Sequence, residues 1–262
     1  MMTKRKGQTV QSVERSLAII EAMAREGEPM SLKDLSAEVE LTPSTVHRLL
    51  STLISRGFVR QDPASGHYFL GLKALEIGTS LLASLEIRAI ARPILWRLVE
   101  ECGETANLAV LDGLEVVYID QVETENLIKM RARLGWRGPA YCTAAGKALL
   151  ADLPRAEVER LIGQRVLKRY TARTITEPER LFEELARIRE EGYALDFGEM
   201  EPGVRCAAAP IRGHEGPALY AVSVSGPSMR INGERLRRLI VPAVLRAAEA
   251  IAKELGAGPR SR

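Results

Sequence analysis

At 262 residues the chain is longer than one typical domain, so two domains are expected, each able to bury its own core. Hydrophobic residues at 46% and charged residues at 27% describe a soluble globular protein; no run reaches the roughly 20 apolar residues of a spanning helix, and MMTKRKGQTV lacks the apolar stretch of a secretory signal, so a cytoplasmic protein with no membrane partner is expected. A net charge of +3 is too small to diagnose a polyanionic partner, and Cys102, Cys142 and Cys206 are too scattered for a disulfide framework.

Residues 1–8 read as a disordered arm, and 9–71 as a winged helix-turn-helix. In SVERSLAIIEAMAREGE, Ser12 is placed to cap a helix, with Val13, Leu17, Ile20 and Met23 as its buried stripe and Gly27 as its stop. MSLKDLSAEVELT repeats the logic with Ser31 as cap and Leu32, Leu35 and Val39 inward. A third helix follows at once, capped by Thr42 or Ser44, with Pro43 in its first turn, Val46, Leu49, Leu50 and Leu53 facing the core, and Gly57 closing it. FVRQD and HYFLG flank the turn residues 63–66 and predict a two-stranded wing.

That third helix leaves a polar side: Ser44, Thr45, His47 and Arg48. In a winged helix this is the element that enters a major groove, where Arg48 suits guanine O6 and N7 and Thr45 a thymine methyl. Thr42, Ser44 and Arg60 are better placed for phosphates, which fix register without reading sequence. Charge agrees locally, because residues 41–61 hold Arg48, Arg56 and Arg60 and no acid. The same face would also serve a winged helix that binds protein.

Residues 72–89 predict a linker helix with a break near 84–86, and its leucines (Leu72, Leu75, Leu81, Leu82, Leu85) need a partner: a second copy of the chain or their own domain. A second domain, 90–256, follows, and 257–262 read as a flexible tail. ETANLAVLDGLEVVYIDQVE reads as a hairpin turning at Asp112-Gly113, and NLIKMRARL as a third extended run. CTAAGKALLADL enters a helix at which Gly146 allows close approach; TEPERLFEELARIREEG carries Thr176 and Glu179 at capping-box spacing, Leu181, Leu185 and Ile188 inward, and Gly192 as stop. YALDFGE, RCAAAPI and ALYAVSVSGP supply strands and residues 232–256 a closing helix, so the domain is an antiparallel sheet flanked by helices and the chain as a whole α+β.

Ser223 and Ser225 alternate along one strand and point to one face, Cys206 lies on the neighbouring strand, and Asp196 ends the strand before it. These groups suit a pocket for a small polar metabolite; they also suit an ordinary core in which hydroxyls satisfy the backbone. An enzyme reading takes Cys206 as nucleophile and His214 as base, with the winged helix as a protein-interaction module, but the turn RGHEGP carries His214 away from the strand of Cys206. No phosphate loop and no metal-ligand spacing occur, and no cofactor is expected.

QSVERSLAIIEAMA, LTPSTVHRLLSTLISRGFVRQD, YCTAAGKALLA and EEGYALDFGEMEPGVRCAAAPI together resemble the IclR family of bacterial transcriptional regulators over nearly the whole chain. The resemblance implies a GAF-like effector-binding domain, with effector contacts at the positions matching Ala144, Ala145, Asp196, Cys206, Ser223 and Ser225, and small organic or aromatic acids as effectors. It also implies a homodimer or dimer of dimers (homotetramer) on a pseudo-palindromic double-stranded operator, and no enzymatic activity.

Overall fold

The computed structural model describes residues 9–84, 86–130, 133–163, 165–213 and 217–256, with the backbone alone at 82–84. The predicted arm and tail, and the side chains of Leu82 and Leu85, lie outside the described residues. The chain divides between Ser84 and Leu85 into two compact units.

In the first unit α1 (Gln11–Glu26), α2 (Leu32–Glu38) and α3 (Pro43–Ser55) precede a wing of β1 (Val59–Gln61) and β2 (Tyr68–Leu70), followed by α4 (Leu72–Ser84). The wing pairs antiparallel, Arg60 opposite Phe69, and Met30 adds a bridge to Tyr68. Its core is Ile19, Met23, Met30, Leu35, Val46, Leu50, Leu53, Val59 and Tyr68. Ser31 caps α2 as expected, its hydroxyl accepting from Asp34 N at 3.2 Å.

The start of α1 departs from expectation. Val10 is the N-cap and its carbonyl accepts from Val13 N and Glu14 N; Ser12 lies inside the helix, where its carbonyl accepts from Ser16 Oγ. Val13 and Leu17 are exposed, and Ile19, Ala22 and Met23 take the core positions. The helix carries two apolar stripes, and periodicity alone does not say which one its own domain buries.

The second unit is built on one antiparallel sheet in the order β5-β4-β3-β8-β7-β6. Its strands are β3 (Thr105–Asp112), β4 (Glu115–Val122), β5 (Arg137–Pro139), β6 (Ala194–Asp196), β7 (Val204–Ile211) and β8 (Tyr220–Pro227). One face packs on α5 (Glu86–Cys102) and α10 (Val241–Glu254), the other on α6 (Ala144–Asp152) and α8 (Pro178–Glu191). With both faces covered, the central strands are buried on both sides.

Four local expectations are corrected. The β3–β4 turn is Gly113-Leu114, because Asp112 pairs with Glu115. Residues 126–130, 133 and 134 of the supposed third strand form a loop in which Leu127 is fully exposed. Side chains hold it in place of a ladder: Thr124 Oγ1 and Asn126 Nδ2 both donate to Gly103 O, and Lys129 pairs with Glu123 at 2.8 Å. Thr176 and Glu179 form no capping box: Pro178 takes the first helical position, Glu177 becomes the N-cap, and Thr176 Oγ1 accepts from Arg169. The closing helix is interrupted, a short α9 (Gly233–Arg235) passing through a π-turn at Leu236–Ile240 before α10. One helix, α7 (Arg155–Ile162), was not foreseen.

Candidate nucleic-acid interface and ligand site

Pro43 and the N-cap Thr42 start α3 in the open, and Val46, Leu50 and Leu53 anchor it, so its remaining side faces solvent. Thr42, Ser44, His47 and Arg48 are exposed there and Thr45 is half-buried. Thr42 Oγ1 lies 3.0 Å from Thr45 Oγ1 and 3.3 Å from Ser44 Oγ, so the three hydroxyls form one cluster at the helix start. On the wing, the Arg60 guanidinium stands 5.0 Å from the Phe69 ring centroid. Among the described residues, neither Arg48 nor Arg60 forms an ion pair.

In the second unit the ladder sets Asp196 opposite Cys206 and Cys206 opposite Ser225, while Ser223 lies two residues along β8 on the same face. Above them Thr143 caps α6, accepting from Gly146 N at 3.3 Å, so that Ala144 and Ala145 occupy its first turn. A Cβ at Gly146 would stand 2.3 Å from Ala140 Cα, so the helix start sits where only glycine fits. All six expected effector residues are buried and are brought together on the α6 face.

The sequence reading missed the groups that complete this face. Asn107 Nδ2 donates to Ser225 Oγ at 3.1 Å and Ser223 Oγ at 3.4 Å, and Gln121 Nε2 donates to Asn107 Oδ1 at 2.7 Å. Tyr118 stacks on Trp136 with ring centroids 5.2 Å apart. The Lys147 ammonium, almost wholly buried, pairs with Glu199 and stands 3.6 Å from Glu184. Asp196 Oδ1 accepts from Gly198 N and Glu199 N, holding the β6–β7 loop. The one signal for these was the polar residues inside otherwise apolar strands; their partners lie up to 118 residues away.

Burial governs the ionisation here. It raises the Asp196 carboxyl above its ordinary value against the pull of two backbone N–H groups and Lys147, and pushes Glu199 up to about 7. Burial and the Asp196 charge push the Cys206 thiol well up, so it is a neutral thiol, a poor nucleophile. His214, the base of the enzyme reading, lies outside the described residues. Among the described residues no cluster of His, Cys, Asp and Glu has the form of a metal site.

Two family models match the chain: the IclR helix-turn-helix domain over residues 12–63 and the bacterial transcriptional regulator IclR C-terminal domain over residues 79–253. The transcriptional repressor IclR of Escherichia coli K12 is 41% identical over 229 residues, 87% of this chain and 84% of that protein. The crystal structure of Thermotoga maritima IclR superposes with a TM-score of 0.76 at 32% identity, covering 94% of this chain and 99% of that one. An IclR homologue from Microbacterium hydrocarbonoxydans, crystallised with 4-hydroxybenzoate, superposes with a TM-score of 0.80 at 25% identity, covering 94% of this chain and all of the other. Winged helix, buried polar face and these likenesses coincide along one chain, which belongs to the IclR family of transcriptional regulators and is not an enzyme.

Proposed function

We propose that the first unit binds a pseudo-palindromic operator as a dimer and that a small carboxylic acid, held on the α6 face of the second unit, sets its affinity for DNA. The exposed, acid-free side of α3 carries this reading: Arg48 and Thr45 read base edges, His47 lies along the same groove, and Thr42, Ser44 and Arg60 take phosphates. In the second unit the first-turn N–H groups of α6, at Ala144 and Ala145, lack acceptors within their helix and suit a carboxylate. Ser223, Ser225, Cys206 and Asp196 then face the rest of the acid. The Microbacterium homologue crystallised with 4-hydroxybenzoate supports this ligand class. By likeness to the E. coli repressor, the operator-bound form represses, and the effector releases it by binding the two conformers unequally.

The test starts from duplexes selected from a random library on the purified protein. Arg48→Ala is expected to lose about 1–3 kcal/mol and its preference among selected sites, whereas Arg60→Ala weakens all duplexes evenly and lowers the salt slope by about 1. If Arg48→Ala retains wild-type affinity and site preference, the assignment of α3 is wrong. A panel of small carboxylic acids in thermal shift identifies the effector, since a ligand of the folded state raises Tm; Ser225→Ala is expected to weaken the hit.

A further inference from the structure

Successive residues of β7 point to opposite faces of the sheet, so while Cys206 turns to α6, Arg205 turns the other way, toward Ile231 and Phe197. There a cleft of about 390 Å³ opens, and Thr171, Arg173, Phe197, Gly203, Arg205 and Ser228 line it. None of the six expected effector residues does. Its size falls within the range of small-molecule pockets, roughly 300–1,000 Å³.

Its charge is unbalanced. Arg205 Nη1 donates to Ile231 O at 2.8 Å and Arg173 Nη1 to Phe197 O at 2.5 Å, so both guanidiniums are anchored by neutral carbonyls. Among the described residues no carboxylate pairs with either, whereas Arg230 and Arg212, half-buried as Arg205 is, each hold one. Arg205 is half-buried and its Nε is buried without a hydrogen-bond partner, an unfavourable state for one donor of a charged group. The Arg205 guanidinium also stands 5.6 Å from the Phe197 ring centroid, which puts an apolar surface beside the two cations. Gly203 adds room: a Cβ there would meet nothing within 4 Å.

We propose that this cleft is a second ligand site, on the other side of the β6–β7 loop from the effector face, for a small metabolite bearing an oxyanion. The carboxylate or phosphate lies between Arg173 and Arg205, which present fork-shaped donors to it, Ser228 offers a hydroxyl, and the apolar part of the ligand rests on Phe197. Because Asp196 holds Gly198 and Glu199 of the same loop, occupancy of the cleft stiffens one wall of the effector face.

Isothermal titration calorimetry of the full-length protein tests this, with inorganic phosphate and citrate as separate probes against sodium chloride at matched ionic strength. One of the two binds saturably, one per chain, and which one does distinguishes phosphate from carboxylate as the natural group. Arg173→Gln and Arg205→Gln each weaken that binding by about tenfold or more, while Ser225→Ala leaves it within about twofold. Arg173 is exposed, so Arg173→Gln decides the matter alone if Arg205→Gln fails to fold. The proposal is overturned if neither probe binds by about 10 mM, if Arg173→Gln binds as the wild type does, or if Ser225→Ala abolishes binding as fully as the arginine variants.

Discussion

Glu199 sits against Lys147 with one carboxylate oxygen buried and unpartnered, and burial outweighs the ammonium's pull to bring its pKa up to about 7. Its ordinary value is 4.5, so between about 4.5 and 7 the folded protein binds a proton that the unfolded chain has released. The resulting contribution to stability is complete below 4.5 and is lost as pH rises through 7; the raised Asp196 acts in the same sense. Glu199→Gln is therefore expected to flatten the fall of Tm with pH between about 5 and 7, and an unchanged slope would show that the proton is held elsewhere. Close packing fixes the identity of Gly146. In Gly146→Ala the new Cβ must displace Ala140 backbone, and a loss of about 1–3 kcal/mol in urea unfolding is expected. A loss below about 0.5 kcal/mol would mean that the start of α6 yields easily.

At the scale of elements, one β-bulge sets how β4 contributes to the polar face under α6. Register shifts between Leu108 and Ala109, so Asp120 pairs with Leu108 and Tyr118 with Ala109. The extra residue lets Tyr118 and Gln121 share the α6 side, where strict alternation would part them, while Ile119 and Asp120 both turn to α5. There Asp120 Oδ1 accepts from Arg92 at 2.7 Å, lies 3.5 Å from Arg88, and takes the N–H of Gln121. Asp120→Ala removes the clamp between α5 and β4, and a lower urea midpoint worth about 1–3 kcal/mol, with unchanged m, is expected; an unmoved midpoint refutes the clamp. The sequence announced the winged helix, the strands β3, β4, β7 and β8 and the shared face of Ser223 and Ser225, because each follows from local period, caps and turns. A bulge leaves no such mark, since nothing in VVYID singles out the extra residue. Lys147 and Glu199, 52 residues apart, were invisible for the same reason: their pairing is decided by topology. The loop containing Leu127 misled because apolar composition was taken for burial.

For the whole molecule, the unexplained surface of the first unit is the argument for a dimer. At the N-cap of α1 and along it, Val10, Val13 and Leu17 are 62%, 54% and 51% exposed, and on α4 Leu72, Leu75 and Ile77 are 80%, 62% and 50% exposed. Apolar groups exposed in that concentration mark an interaction surface, and a second copy is the occupant that the proposed two-fold operator requires. Linking two half-site readers raises operator affinity by about 10²–10⁴ over one reader alone. Leu17→Glu combined with Leu75→Glu is therefore expected to raise the dimer dissociation constant in analytical ultracentrifugation and to weaken operator binding by about 100-fold or more. Both side chains are exposed within the chain, so the circular dichroism spectrum and Tm of the variant's folded unit should be retained, which separates a lost interface from a lost fold. A double variant that dimerises and binds its operator as the wild type does would place the interface elsewhere. One that binds a single half-site as well as the wild-type chain does, but no longer distinguishes the palindrome from it, would show that α1 and α4 carry pairing while α3 carries recognition.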